Sequence, residues 1–420
     1  MIITEKLPNG ITFILEQVPH LRSVAVGITV KCGSMWENPA ENGASHFLEH
    51  LAFKGTSKRD ALAISEEIDA IGGRLNAHTG RDHTTYYAVV LDSHLNIAID
   101  LLSDIFLNPC YTPHDITTEK TVVQEEIKLY EDTPDELIHD LLVKDIYKDH
   151  PLGSSVLGSR KTIAAMSREQ ILDYRQRLYK PENTIVSLAG NFDPEQAVQL
   201  IKQAFSDMNG KHKAAQITQP LFNSQVQVYH KRSSQNHLCW GCPGVSYNDD
   251  RRYQMSVLNN ILGGTMSSRL FQEVREKRGL AYSIYSYPIL YADSGLMGIY
   301  AGTTASTTEE VVRIILHEID KLKNAPVNSD ELSKGKENLK GNMVLSLESS
   351  SSRMNWNTKS YLYYGRVVSL DETFEKINAV TAAQIQALTC ELLSNNEQSL
   401  TIIGQVGKKE QQELEQLLNI

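Results

Sequence analysis

The sequence predicts an α+β fold of two tandem homologous domains, 1–212 and 213–420, each a mainly antiparallel sheet packed with helices. Three observations carry this. The segment MSREQILDYRQRLYKPENTIVSLAG (166–190) aligns without gaps on VTAAQIQALTCELLSNNEQSLTIIG (380–404), an offset of 214 in a chain of 420 residues. Both copies read as a helix, a polar turn and an apolar strand ending in glycine. Upstream of each copy, short strand-like runs mix with longer amphipathic stretches, the pattern of an α+β plan. A duplication of this kind predicts two similar domains facing each other as a clamshell, with a crevice suited to ligands.

The elements follow in order. In the first half a helix over 59–71 ends at Gly72-Gly73. Two strand runs come next, RLNAHT and TTYYAVVL, then a long amphipathic helix over 94–107. In the second half, helices on either side of Gly263-Gly264 lead to the strand runs AYSIYSYPIL and GLMGIYAGTT, and a long helix over 307–323 follows. The polar stretch 208–224 reads as the linker.

Bulk properties narrow the function classes. Apolar residues make up 41% and charged residues 22%, ordinary for a globular protein. A net charge of −10 argues against nucleic acid or an anionic membrane surface as the main partner. The N-terminal run shows no secretory pattern, and no apolar stretch is long enough to span a bilayer. Five scattered cysteines do not suggest a disulfide framework, so a cytoplasmic location is expected. Cys239 and Cys242 have redox spacing but sit in a strand-like run, so they read as structural thiols.

The chemistry concentrates in HFLEHLAFKGT, which has no proline or glycine until Gly55. On a helix, His46 and His50 leave one face one turn apart, a spacing that suits two nitrogens on one Zn²⁺. Glu49 flanks them, where a carboxylate can take a proton from a water activated by the metal. The order H-x-x-E-H inverts the zincin motif and is associated with inverzincin metallopeptidases. The competing reading is an amphipathic helix with two surface histidines. The motif is not duplicated, since the second half holds only His230, His237 and His317.

A catalytic zinc site needs a third ligand and an open position. ITTEKTVVQEEIKLYEDTPDEL supplies candidates, with Pro113 near a helix start and Pro134 marking its end. On a helical wheel, Val122, Val123 and Tyr130 define an apolar face, with Ile127 and Leu129 at its margins. Glu119 and Glu126 fall at its centre and Glu125 falls off it. Carboxylates on an apolar stripe are costly to bury unless they bind something. The alternative is a short helix whose acids reach water.

HFLEHLAFKGT, followed 76 residues after His50 by Glu126 in EKTVVQEEIKLYEDTP, resembles the family of pitrilysin, insulin-degrading enzyme and mitochondrial processing peptidase. The bacterial-type, two-domain processing-peptidase-like branch fits best, and the resemblance covers nearly the whole chain. It implies a zinc endopeptidase with one Zn²⁺ per chain: His46, His50 and Glu126 as ligands, Glu49 as general base and Glu119 as a carboxylate orienting a ligating histidine. GGRLNAHTGRDHTTYY resembles the family's docking strand, so Arg74, Leu75, Asn76, Ala77, His78 and Thr79 are expected to bind an extended peptide through its backbone. SSRLFQEVREKRGLAYSIYS resembles the stretch that returns Arg275 and Tyr282 to the active site. Gly263-Gly264 is far shorter than the glycine-rich loop of the non-catalytic processing-peptidase subunit. The implied substrate is a short, unstructured peptide, and the expected assembly is a homodimer. The alternative is a catalytically weak peptide-binding or assembly subunit of the same fold that needs a partner chain.

Overall fold

The computed structural model describes residues 2–211, 218–393 and 397–420. The expected linker at 208–224 therefore lies partly outside the described residues. The chain forms two compact units, each discontinuous in sequence. The first takes in the described residues of 1–129, 154–217 and 345–368; the second takes in those of 130–153, 218–344 and 369–420.

The first unit is built on six strands: β1 (Ile2–Lys6), β2 (Thr12–Gln17), β3 (Ser23–Val30), β4 (Arg74–Thr79), β5 (Thr84–Leu91) and β6 (Thr184–Gly190). Their order is β1-β2-β6-β3-β5-β4. β2 runs parallel to β6, and the other neighbours are antiparallel. β4 and β5 coincide with RLNAHT and TTYYAVVL, where β-branched and aromatic residues favour strand. β4 pairs with β5 alone and is an edge strand.

The second unit holds β7 (Gln225–His230), β8 (Asn236–Pro243), β9 (Ala281–Leu290), β10 (Gly295–Thr303) and β11 (Ser399–Gly404), in the order β7-β11-β8-β10-β9. β7 is parallel to β11, and the remaining pairs are antiparallel. This repeats the β2-β6-β3-β5-β4 pattern strand for strand. Cys239 and Cys242 lie in β8 as buried free thiols.

The duplication extends to local detail. Ser167 and Gln170 form a capping box at the start of helix Arg168–Leu178, and Thr381 and Gln384 form the same box 214 residues on. Each box satisfies backbone N–H groups that have no partner inside the helix. Gly190 closes β6 with φ +138°, and Gly404 closes β11 with φ +153°. A Cβ there would lie 2.2 Å from the Ser23 carbonyl oxygen and 2.0 Å from Asn236 Oδ1, respectively.

Each sheet is covered on its second face by a helix from the opposite half of the chain. In β3, Val24, Val26, Ile28 and Val30 enter the main core while Ala25 and Gly27 face the other way. Helix Ser350–Tyr364 packs there: Met354 clusters with Ala25 and Ala189, and a Cβ on Gly27 would come 2.6 Å from Met354 Sδ. Arg353 and Asn357 of that helix bond the Glu16 carboxylate at 2.7 and 2.8 Å. In the second unit, Gly241 of β8 allows a comparable close approach two positions away from the register equivalent of Gly27. A Cβ on Gly241 would lie 2.9 Å from Ile146 and 3.2 Å from Leu142, both on helix Pro134–Ile146.

No helix among the described residues is long and apolar enough to cross a membrane.

Alanine at Gly190 is expected to destabilise the protein by at least about 1–3 kcal/mol through backbone strain, with the steric clash added. Gly72, at φ +62° with nothing within 4 Å of an added Cβ, should tolerate asparagine with little loss. Urea unfolding of the two variants compares them directly.

Candidate metal centre

The motif helix, Ala44–Ala52, begins at Gly43, whose φ of +97° and close approach to Ile163 and Leu157 admit no side chain. A helix start leaves backbone N–H groups without partners. The buried Glu37 carboxylate accepts two backbone N–H groups there, from Gly43 at 2.7 Å and Ser45 at 2.8 Å, and also the Asn42 side-chain amide at 3.0 Å. Phe47, Leu48 and Leu51 anchor the helix in the core. His46 and His50 then leave the same face, with their Nε2 atoms 3.2 Å apart.

The second contributor is helix Pro113–Glu131. Its buried stripe is Ile116, Glu119, Val123 and Ile127. This corrects the wheel reading, because Val122 and Leu129 are 45% and 69% exposed and do not belong to the apolar face. The stripe lies to one side of that face, which puts Glu119 inside it and Glu126 at its border. Glu125 is exposed. Glu126 reaches both histidines: Oε1 is 3.7 Å from His46 Nε2, and Oε2 is 3.4 Å from His50 Nε2.

These distances test the site's fitness for a metal. A tetrahedral Zn²⁺ with bonds of about 2.0–2.2 Å holds its donors about 3.3–3.6 Å apart. The two histidine nitrogens, 3.2 Å apart, fit that spacing; the Glu126 oxygens flank them, Oε2 near His50 and Oε1 near His46, so one ligand atom from each residue lies within 4.8 Å of the others. Glu126 Oε2 is buried and has no hydrogen-bond partner, which a cation would supply. Two imidazoles and a carboxylate are the donor types zinc takes at catalytic sites. Among the described residues, no other group of His, Cys, Asp or Glu converges in this way.

Glu119, only 2% exposed, orients the set. Its Oε1 accepts from His50 Nδ1 at 2.7 Å, and its Oε2 pairs with Lys54 Nζ at 2.6 Å. The Nδ1–H bond leaves Nε2 of His50 as the metal-facing nitrogen. Burial pushes the Glu119 carboxyl up, but the hydrogen bonds from His50 and Lys54 outweigh it and hold its pKa below the ordinary value. Burial likewise pulls His50 down. Its hydrogen bond with Glu119 and its charge contacts with Glu119 and Glu126 prevail, and its pKa stands at about 9. His46, buried and beside His50, is depressed. The nearby His50 holds the Glu126 carboxyl low, against the upward push of burial.

Glu49 lies beside the donors, and its Oε2 accepts from the Thr79 hydroxyl at 2.5 Å. Burial raises its pKa, and Thr79 and His50 partly offset this. Thr79 is the last residue of β4. Along that strand Arg74, Asn76 and His78 are exposed, Leu75 and Thr79 half-buried and Ala77 buried. Arg275 and Tyr282 belong to the second unit, Arg275 on a π-helical turn, Phe271–Glu276, and Tyr282 at the start of the edge strand β9. The Arg275 guanidinium stands 4.7 Å from the ring centroids of both Phe271 and Tyr282, and Tyr282 is 77% exposed.

The structure thus gathers His46, Glu49, His50, Thr79, Glu119 and Glu126 in the first unit and places Arg275 against Tyr282 in the second. Two supporting residues escaped the sequence reading. Lys54 lies just past the end of the motif helix, and nothing local marks Glu119 as its partner. Glu37 lies seven residues before the helix and carries no periodic signal.

The fold and donor set together define a duplicated α+β metalloprotein. Residues 12–160 match the family model described as insulinase (peptidase family M16), and 165–339 match that of the peptidase M16 inactive domain. The chain is 41% identical to an uncharacterized zinc protease of Bacillus subtilis, over 95% of this chain and 97% of that one. It is 40% identical to an uncharacterized zinc protease of Streptomyces coelicolor, over 96% and 90%. The chain belongs to the M16 peptidase family. Its fold is similar to that of a solved protease from Helicobacter pylori, with a TM-score of 0.90 at 22% identity over 96% of this chain and 99% of that one. It is equally similar to a solved peptidase M16 inactive domain from Pseudomonas fluorescens, with a TM-score of 0.90 at 21% identity over 97% and 98%.

Metal loading should release a proton. With a pKa of about 9, His50 is protonated at pH 7 in the metal-free protein, whereas a ligand nitrogen must be bare. Affinity for Zn²⁺ should therefore rise with pH and level off above about 9. Calorimetric titration in buffers of different ionisation heat measures the proton count. Glu119→Gln should weaken zinc binding by about 10- to 100-fold.

Proposed function

We propose that this chain is a zinc-dependent endopeptidase that hydrolyses short, unstructured peptides bound as an extended strand. One observation carries the reading: three metal-ligand side chains converging within 4.8 Å, with a carboxylate beside them that is bonded to the end of an edge strand. The zinc relatives support the choice of metal.

His46, His50 and Glu126 would hold the ion, and Zn²⁺ there supplies Lewis acidity that polarises a scissile carbonyl and acidifies a water. Glu49 takes the water proton and delivers it to the leaving amine. Its raised pKa suits both halves of that task, since a stronger base accepts the proton and a carboxyl returns it. Glu119 keeps His50 in the ligating tautomer throughout.

The peptide is recognised along β4. An edge strand offers unpaired backbone groups to an added strand, and main-chain pairing tolerates many sequences. Folded chains cannot present such a segment. A cavity of about 620 Å³ beside β4, floored by Phe53, Ile64, Ile68 and Leu75, offers room for an apolar substrate side chain. Arg275 and Tyr282 are assigned to the substrate carbonyl, where a cation and a phenol stabilise developing negative charge. The assembly proposed is a homodimer.

An assembly subunit without activity is the weaker reading. The family model described as inactive covers 165–339, and the metal donors lie before it.

Glu49→Gln should retain about one zinc per chain and lose roughly 10²–10⁴-fold in hydrolysis. Metal quantification alongside an assay on a library of unstructured peptides checks both halves. Full activity in the variant would remove Glu49 from its role. Zinc far below one per chain in wild-type protein purified without chelator would favour the assembly subunit.

A further inference from the structure

Thr79 ends the strand assigned to substrate, yet its hydroxyl does not point along an open edge. It donates to Glu49 Oε2 at 2.5 Å. A carboxylate carries no proton, so the direction of this bond is fixed. Threonine is β-branched and stiff at χ1, so its oxygen is aimed by the backbone that carries it.

That backbone is held from several sides. Thr79 pairs with the fully buried Thr84, whose Oγ1 lies 3.0 Å from the Cys32 carbonyl oxygen and 3.3 Å from Thr79 Oγ1. The turn between them is closed by Gly80 N donating to the His83 carbonyl at 2.8 Å. It is pinned to the 33–36 segment by Ser34 N to Gly80 O at 3.3 Å, Met35 N to Arg81 O at 2.9 Å and Trp36 Nε1 to Asp82 O at 3.1 Å. A Cβ on Gly33 would lie 2.4 Å from Gly80 O, so this approach needs glycine. Asp82 accepts from His83 Nδ1 at 2.7 Å and from the Tyr363 hydroxyl.

We infer that Thr79 is a positioning residue for the general base: the clamped turn fixes its hydroxyl, which occupies Glu49 Oε2 and leaves Oε1 to face the reacting water. This rests on the endopeptidase reading and adds a role distinct from peptide docking. A docking residue contributes to substrate binding, whereas an aligner of the base acts on the chemical step.

The test compares zinc-loaded wild type, Thr79→Val and Thr79→Ser on one unstructured peptide, measuring kcat, KM, bound zinc and Tm. Valine keeps the shape and removes the donor, and serine keeps the donor. The expected result is a kcat about 10- to 100-fold lower in the valine variant, the loss of one hydrogen bond to a charged group, with KM and zinc content unchanged. Serine should restore most of the rate. A raised KM at unchanged kcat in the valine variant would make Thr79 a docking residue and overturn the inference alone. Equal losses in both variants with a fallen Tm would make it merely structural. A zinc-loaded wild type without hydrolysis would sink the endopeptidase reading itself and take this inference with it.

Discussion

The metal centre depends on one buried carboxylate. Glu119 is removed from water and made tolerable only by His50 on one oxygen and Lys54 on the other. Those two partners come from the motif segment, and Glu119 comes from a helix almost seventy residues later. The ion pair therefore docks one helix against the other, and the docking brings Glu126, two turns further on, up to the histidines. Glu37 does comparable work at the far end of the motif helix by accepting two backbone N–H groups there. A carboxylate at each end thus fixes the helix, one through its backbone and one through a ligand's ring.

The two units show what the same sheet does with and without a metal. β3 and β8 are followed by helices of different character. Ala44–Ala52 turns two histidines and a glutamate outward from an apolar base, whereas Arg252–Leu262 buries Tyr253, Met255, Val257, Leu258 and Ile261. The second unit uses that helix as core. What it keeps is the scaffold: the capping boxes at Ser167 and Thr381, and the glycines that end β6 and β11. These positions answer to backbone geometry, which duplication preserves whatever chemistry the surface acquires.

Much of this was legible in the residues. RLNAHT, TTYYAVVL and AYSIYSYPIL coincide with β4, β5 and β9 because strand-forming residues alternate between well-marked turns. The histidine pair was legible because helical spacing alone brings i and i+4 together. The wheel over 119–130 picked out Glu119 and Glu126 but set the apolar face too far round, since it counted Val122 and Leu129 as core. Periodicity weighs an apolar side chain the same whether or not a neighbour covers it. Lys54 and Glu37 stayed hidden for a related reason: their value lies in a tertiary partner that no local pattern encodes. The discontinuous make-up of the compact units was equally invisible, because the duplication suggests a cut at the middle of the chain.

That make-up has a consequence for how the protein comes into being. Ala25, Gly27 and Ala189 form a flat, side-chain-poor surface that Met354 and its helix cover. During synthesis the first sheet is complete at residue 190, but its cover emerges some 160 residues later. The nascent first half must wait with an unfinished face, while the helix at 134–146 has no sheet to lie on until β8 and β11 exist. Closing contacts so distant in sequence is slow. The interleaving therefore makes assembly a late event for both units, and ties the maturation of the metal-bearing unit to completion of the chain.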